Sequence, residues 1–161
     1  MPVKRQTALK NLEKIIAKAH SINGIYMTYG ESHECVKIKR MWVFGSVAKG
    51  SNEPNDLDIF IEVITPNNRR RKGCQKIYRT LSKPQFLESC QTDKKLHGMF
   101  IPRRSKKYTI GVPNMKISIE SFTKWLTKGM QKVSIHYVGY DSVFDTLDVK
   151  YLIYPKNTFL T

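Results

Sequence analysis

Two apolar segments separated by a short polar stretch restrict the fold of this chain more than any other feature. Val36–Phe44 alternates at first and then becomes continuously apolar, as a strand does when it enters a core. Leu57–Ile64 is rich in β-branched and aromatic residues. Gly45-Ser46 ends the first segment, and a loop containing Gly50 and Pro54 precedes the second. The sequence therefore predicts a strand, a turn and a second strand.

A helix is predicted ahead of these strands. From Thr7 onward, apolar residues recur at helical spacing, and Gly24 lies a few residues beyond the last of them. The apolar positions are Leu9, Leu12, Ile15, Ile16 and Ala19.

Beyond Pro66 the periodic patterns are weaker, but they still indicate alternating helices and strands. The predicted elements are a helix over 74–81, a short strand over 108–112, a helix capped by Ser118, and strands over 132–138 and 149–154. Residues 92–107 have no period and are read as an exposed loop or an insertion that becomes ordered on a partner. We expect one domain over residues 1–161 of the α/β class (α+β by strict layer naming), with a short mixed sheet backed by helices.

Positive charge is concentrated in the middle of the chain. The formal net charge is +15, and residues 66–132 contribute 17 Lys and Arg against three acids. Clustered positive charge favours a polyanionic partner, although a solvated surface that keeps the protein soluble is the simpler alternative. The candidate nucleic-acid-binding residues are Arg69, Arg70, Arg71, Arg103, Arg104, Lys106 and Lys107.

Other classes of protein are disfavoured by the composition. No run approaches the roughly 18 consecutive apolar residues that a membrane span needs. Three cysteines without close spacing (Cys35, Cys74 and Cys90) support neither a disulfide framework nor a structural zinc site. We expect a soluble, cytoplasmic protein with reduced thiols and no membrane partner.

Chemistry-bearing residues are concentrated around the predicted turn. A strand that ends in Gly45-Ser46 and enters a short helix exposes backbone N–H groups, and glycine lets a phosphate approach the main chain. Asp56 and Asp58 are separated by one residue on the second strand, so their side chains share one face. Two neighbouring carboxylates repel each other unless a cation such as Mg²⁺ neutralises them.

This arrangement resembles the motif of nucleotidyltransferases of the DNA polymerase β superfamily. In that motif an apolar residue precedes Gly-Ser, and an Asp-apolar-Asp-apolar quartet follows after a short spacer. The match covers Phe44 to Ile59, with nine residues between Ser46 and Asp56. The stretch Gly45–Gly50 is similar to the Gly-Ser-x-Ala-basic-Gly variant of minimal nucleotidyltransferases and antibiotic-modifying members.

The resemblance implies transfer of a nucleoside monophosphate from an NTP, with ATP as the expected donor, to an acceptor hydroxyl. Asp56 and Asp58 would be the catalytic residues and the ligands of Mg²⁺ or Mn²⁺. Gly45, Ser46 and Lys49 would bind the nucleotide, although Lys49 fits a solvated surface nearly as well.

The chain departs from the family pattern at the third carboxylate, which relatives carry on a later strand. The strand where it is expected has Ser134 and His136 on the corresponding face. Glu120, Asp141 and Asp148 are the alternatives, and the absence of any third acid is a further alternative. This departure bears on activity more than on fold.

Charge also bears on the acceptor. A region of +14 would repel the cationic drugs that antibiotic-modifying relatives bind, so a nucleic acid is favoured, with RNA or tRNA before DNA by family analogy. Two alternatives remain open. The chain is either a catalytically weak or inactive module that binds nucleic acid, or a minimal nucleotidyltransferase that modifies a partner protein.

Overall fold

The structure, a computed structural model, describes residues 3–27, 35–64, 113–139 and 142–160 of the 161-residue chain. These ranges form a mixed sheet with helices, which confirms the predicted fold class. In chain order the elements are α1 (Arg5–Ser21), β1 (Ile25–Met27), β2 (Cys35–Phe44), α2 (Gly45–Ala48), β3 (Leu57–Ile64), α3 (Pro113–Leu126), β4 (Val133–Tyr137), a 3₁₀ helix (Ser142–Thr146) and β5 (Lys150–Tyr154).

The sheet has five strands and is built around β2. Strand β3 pairs antiparallel with one edge of β2, whereas β1 and β5 pair antiparallel with successive parts of its other edge. Strand β4 runs parallel to β3. Because of these directions, the end of β2 and the starts of β3, β4 and β5 meet at one end of the sheet.

The main core lies between one face of the sheet and the helices α1 and α3. Alternate residues of β2 and β3, including Val43 and Ile59, are fully buried on this face. Leu12 of α1 and Phe122 of α3 pack into the same cluster. Burial of apolar surface here supplies the main driving force for folding.

A smaller aromatic cluster covers the opposite face. Trp42, Phe44 and Phe60 are buried there, and Phe144 of the 3₁₀ helix packs over them. The Phe44 and Phe60 ring centroids are 4.7 Å apart, and those of Trp42 and Phe144 are also 4.7 Å apart. The 3₁₀ helix, which no periodicity indicated, therefore closes the second face of the sheet.

The structure confirms most of the predicted elements in the described ranges. Strand β3 has the predicted bounds, and α1 begins two residues before Thr7. The predicted start of α3 at Ser118 is wrong, because the helix begins at Pro113. Proline suits a first helical turn, where its missing N–H would have no intrahelical acceptor.

Strand β1 was not predicted, because three residues are too few to show an alternating pattern. The predicted helix over 74–81, the loop over 92–107 and the strand over 108–112 lie outside the described residues. None of the helices in the described ranges is long and apolar enough to cross a membrane.

Candidate active site

The candidate site lies at the end of the sheet where β2 stops and β3, β4 and β5 start. Phe44 pairs with Asp58 on β3 and with Lys150 on β5, and Asp58 pairs with Ser134 on β4. Residues that pair directly across strands point to the same face. The four side chains therefore form one row across the sheet, on the face of the aromatic cluster.

Gly45 follows Phe44 as the first residue of α2, and its backbone conformation favours glycine. Its φ is +69°, in the left-handed region that L-residues with a side chain rarely adopt. A Cβ atom at this position would collide with Oδ2 of Asp58 and lie 3.3 Å from its Cγ. The Gly45-Ser46 turn and the Asp58 carboxylate are thus in direct contact.

Asp56 lies just before β3 and is held by the neighbouring strand. The hydroxyl of Ser134 donates a hydrogen bond of 2.9 Å to Oδ2 of Asp56. Ser134 is also the register partner of Asp58, so the residue that bonds one aspartate lies directly across from the other on the neighbouring strand. The bond orients one oxygen of Asp56 and leaves the other for a different partner.

The Asp58 carboxylate is largely buried, with a side-chain exposure of 18%. Burial, followed by the negative charge of Asp56, raises the pKa of Asp58 from 3.8 to about 6, and His136 opposes this increase. His136 Nε2 lies 3.7 Å from Asp58 Oδ1. The close pair of carboxylates therefore favours a proton or a metal ion between them.

His136 is fixed by the aromatic face. Its ring centroid lies 5.2 Å from those of both Phe44 and Phe60. The imidazole is about one third exposed, so one side contacts rings and the other faces the site. This packing holds Nε2 toward Asp58.

The acid farther along β3 provides a contrast. Glu62 is buried, and Arg40 bonds its carboxylate with contacts of 3.0 to 3.3 Å, while Lys39 lies 3.5 Å away. Within the described ranges, no lysine or arginine forms an ion pair with Asp56 or Asp58. A bound cation would therefore supply the positive charge that the aspartate pair lacks.

No third acid joins the pair among the described residues. Ser134 and His136 occupy the face of β4 where that acid is expected, as the sequence indicated. Glu120 is exposed on α3, at the eighth residue of the helix. Asp148 is exposed ahead of β5, and Asp141 lies outside the described residues.

The donor set limits which cation fits. The described part of the chain contains no group of three or more His, Cys, Asp or Glu side chains arranged to hold a metal ion. Two carboxylates suit Mg²⁺ or Mn²⁺, which complete their coordination with water and substrate phosphate oxygens. The residues are consistent with such an ion and would hold it through Asp56 and Asp58.

The loop that carries Ser46 and Lys49 is anchored by the N-terminal segment, which was not predicted. The guanidinium of Arg5 donates hydrogen bonds to the carbonyl oxygens of Val47 (2.9 Å) and Ser51 (3.2 Å). These contacts span more than 40 residues, so no local sequence signal indicates them. Ser46 is half-buried in the turn, and Lys49 is exposed at the end of α2.

The predicted nucleic-acid-binding residues, Arg69, Arg70, Arg71, Arg103, Arg104, Lys106 and Lys107, all lie outside the described residues. Their position relative to the aspartate pair therefore stays a prediction.

In comparisons with known proteins, no protein-family model, no curated protein and no solved structure matches the chain.

Proposed function

We propose that this chain is a nucleotidyltransferase that transfers a nucleoside monophosphate from an NTP, with ATP as the expected donor, to a nucleic-acid acceptor. The observation that carries the proposal is the contact between the Gly45 turn and the carboxylate of Asp58. Through this contact the Gly-Ser turn lies next to the aspartate doublet, although the two are separated along the chain.

The reaction follows from what these groups can bind. An oxygen of the acceptor hydroxyl forms a bond to the α-phosphorus, and the bond from that phosphorus to the β-phosphate oxygen breaks. Pyrophosphate leaves with the bonding electrons, and the hydroxyl proton passes to water. Divalent cations, when bound, neutralise the triphosphate and activate the hydroxyl.

The chain's own residues would position these partners. Asp56 and Asp58 supply anionic oxygens for the cation, and Ser134 fixes the orientation of Asp56. The absence of a Cβ atom at Gly45 makes room for the Asp58 carboxylate, and Ser46 beside it would bind the phosphate end of the nucleotide. His136 completes the wall beside Asp58.

The acceptor is assigned from charge. The net charge of +15, with 17 basic residues in 66–132, favours a polyanion, and family analogy places RNA or tRNA before DNA. The expected location is the cytoplasm, where both NTPs and RNA are available.

The test is a transfer assay with each of the four NTPs labelled at the α-phosphate, in Mg²⁺ or Mn²⁺, with RNA, DNA or lysate protein as acceptor. We expect label from ATP on RNA. Asp58→Asn should reduce the rate by about a hundredfold or more, because asparagine has nearly the size of aspartate but lacks the negative charge that binds the cation. Lys156→Gln, an exposed change at the opposite end of β5, should leave the rate unchanged.

A second candidate function is a binding module without turnover. It is favoured by Ser134 at the register position opposite Asp58, where an acid would help to bind a second cation. Saturable binding of RNA or DNA without label on any acceptor would select this module, which holds nucleic acid but transfers nothing to it. Label on lysate protein but not on RNA would instead select modification of a partner protein. Failure to bind any NTP would overturn both transferase functions, and failure to bind nucleic acid as well would overturn the binding module.

A further inference from the structure

Two lysines flank the aspartate pair at the same end of the sheet. Lys150 begins β5 and is the register partner of Phe44, so it lies in the same row as Asp58, two strands away. At about 4.8 Å per strand, the backbones of Lys150 and Asp58 are roughly 10 Å apart. The Lys150 ammonium lies 4.7 Å from the ring centroid of Phe144, which places it on the aromatic face with Asp58.

Lys132 lies on the other side of the pair. Its carbonyl oxygen accepts a 2.8 Å hydrogen bond from the N–H of Leu57. Leu57 and Val133 are register partners, so Lys132 stands beside Asp56 as each precedes its strand. The two lysines thus bracket the carboxylates along the end of the sheet, one on each side.

The backbone at Lys132 is unusual for a lysine. Its φ is +58°, and the other non-glycine residue with positive φ in the described ranges is Asn23, a residue type that tolerates this region. Glycine would relieve the strain at residue 132 but would remove the charge. A lysine at this position is therefore unfavourable for the backbone, which is the pattern expected when the side chain serves a ligand.

Neither ammonium neutralises the aspartates directly, since neither lysine forms an ion pair with them in the described part of the structure. Lys132 is exposed, whereas the half-buried Lys150 contacts the Phe144 ring and would have to turn its flexible side chain away from that ring to reach a ligand above the pair. An extended anion that shares a cation with Asp56 and Asp58 would meet positive charge on both sides.

We propose that Lys132 and Lys150 bind the polyphosphate of the nucleotide, so that the site selects triphosphates over monophosphates. This inference rests on the proposed function, because it assumes that a nucleotide binds at Asp56 and Asp58. It adds the residues by which the site would distinguish ligands with different numbers of phosphates. Neither residue belongs to the Gly-Ser or Asp-apolar-Asp motif.

The experiment measures equilibrium binding of a fluorescent ATP analogue in Mg²⁺, with ATP, ADP, AMP and inorganic tripolyphosphate as competitors. The variants are Lys150→Gln, Lys132→Gly and Asp58→Asn. Lys156→Gln and Lys124→Gln serve as matched controls, since both are exposed lysines away from this end of the sheet. Thermal unfolding is recorded for every variant.

We expect each lysine variant of the site to weaken ATP and tripolyphosphate binding by about three- to tenfold, with little change for AMP. Lys132→Gly should also unfold at the same or a higher temperature, because glycine accepts positive φ. Weaker binding at unchanged stability is an outcome that a structural role for the lysine would not give.

The failures of the two proposals are distinguishable. If ATP binds to the wild type and Asp58→Asn abolishes binding, but both lysine variants bind like Lys156→Gln, this inference is overturned and the proposed function stands. If the lysine changes weaken ATP and AMP binding equally, the selectivity role is overturned. If the wild type binds no nucleotide, both proposals are wrong.

Discussion

The carboxylate of Asp58 lies in the space that a side chain at residue 45 would need. Phe44, which precedes Gly45, is the register partner of Asp58, so the contact follows from the pairing of β2 with β3. The conformation of the turn and the position of the Asp58 carboxylate therefore depend on each other. A side chain introduced at residue 45 should displace the Asp58 carboxylate.

Gly45→Ala tests this dependence against Gly50→Ala. Both glycines have positive φ, but a Cβ at Gly50 would meet nothing within 4 Å. We expect Gly50→Ala to lower the free energy of unfolding by about 1 to 2 kcal/mol through the backbone alone. Gly45→Ala should cost about 1 to 3 kcal/mol more, because the Asp58 carboxylate must move.

Urea unfolding of the two variants gives this difference, and an Asp58→Ala background gives its cause. With the carboxylate removed, Gly45→Ala should cost no more than Gly50→Ala. An unchanged gap between the two glycine variants in that background would show that Asp58 is not the group displaced.

The raised pKa of Asp58 predicts how stability depends on pH in the absence of divalent cations. The folded protein holds this proton with a pKa of about 6, against 3.8 for the ordinary carboxyl. Folding thus favours the protonated form. The contribution to stability is fully present below about pH 4 and disappears as pH rises through about 6.

This contribution is isolated by measuring melting temperatures between pH 4 and 8 in a chelating buffer and taking the difference between the wild type and Asp58→Asn at each pH. The wild type should become less stable relative to Asp58→Asn as pH rises through about 6, and added Mg²⁺ or Mn²⁺ should restore its stability above that pH. Parallel pH profiles for the two proteins would contradict the assignment of a shared negative site.

How much of this site the sequence predicts depends on the range of the interactions. Asp56 and Asp58 were predicted because their spacing around the start of a strand is a local pattern, although Asp56 itself lies just before β3. Gly45 was predicted because glycine marks a turn. The hydrogen bond from Ser134 joins residues 78 positions apart, through the pairing of β3 with β4. The contacts of Arg5 with the turn join residues more than 40 positions apart. Contacts between residues so far apart produce no periodic pattern in the sequence, so they could not be predicted from it.

The same distinction explains the fold. Strands β2 and β3 were predicted because they carry long apolar runs, whereas the start of α3 was misplaced because Ser118 is a good cap residue inside a helix that already begins at Pro113. Local capping preference was outweighed by the five preceding residues, which continue the helix.

Ser134→Ala tests whether the serine hydroxyl positions Asp56. Removing the 2.9 Å hydrogen bond frees the Asp56 carboxylate to rotate. We expect about tenfold weaker Mn²⁺ binding, because partners that orient a ligand typically contribute this much. Ser134→Thr keeps the hydroxyl and suits a strand, so it should restore binding.

Isothermal titration with Mn²⁺ alone provides the measurement. A purely structural serine would lower the melting temperature of both the Ala and Thr variants without changing Mn²⁺ affinity. That outcome would remove Ser134 from the site.

The basic segment makes the last prediction, which concerns the acceptor. Replacing Arg69, Arg70 and Arg71 by Ser, or Arg103, Arg104, Lys106 and Lys107 by Ser, should weaken RNA binding and flatten its dependence on salt. Each ion pair with a phosphate that these changes remove should reduce the slope of log K against log[salt] by about 0.7 to 0.9. The triple variant should thus change the slope by roughly two units. The exposed lysines Lys10, Lys124 and Lys156, changed together to Gln, provide a control with the same reduction in charge as the triple variant. Free ATP should bind all three variants nearly equally, since Asp56 and Asp58 are unchanged. An equal decrease of RNA affinity in the control would mean that net charge, and not the clusters, attracts the acceptor.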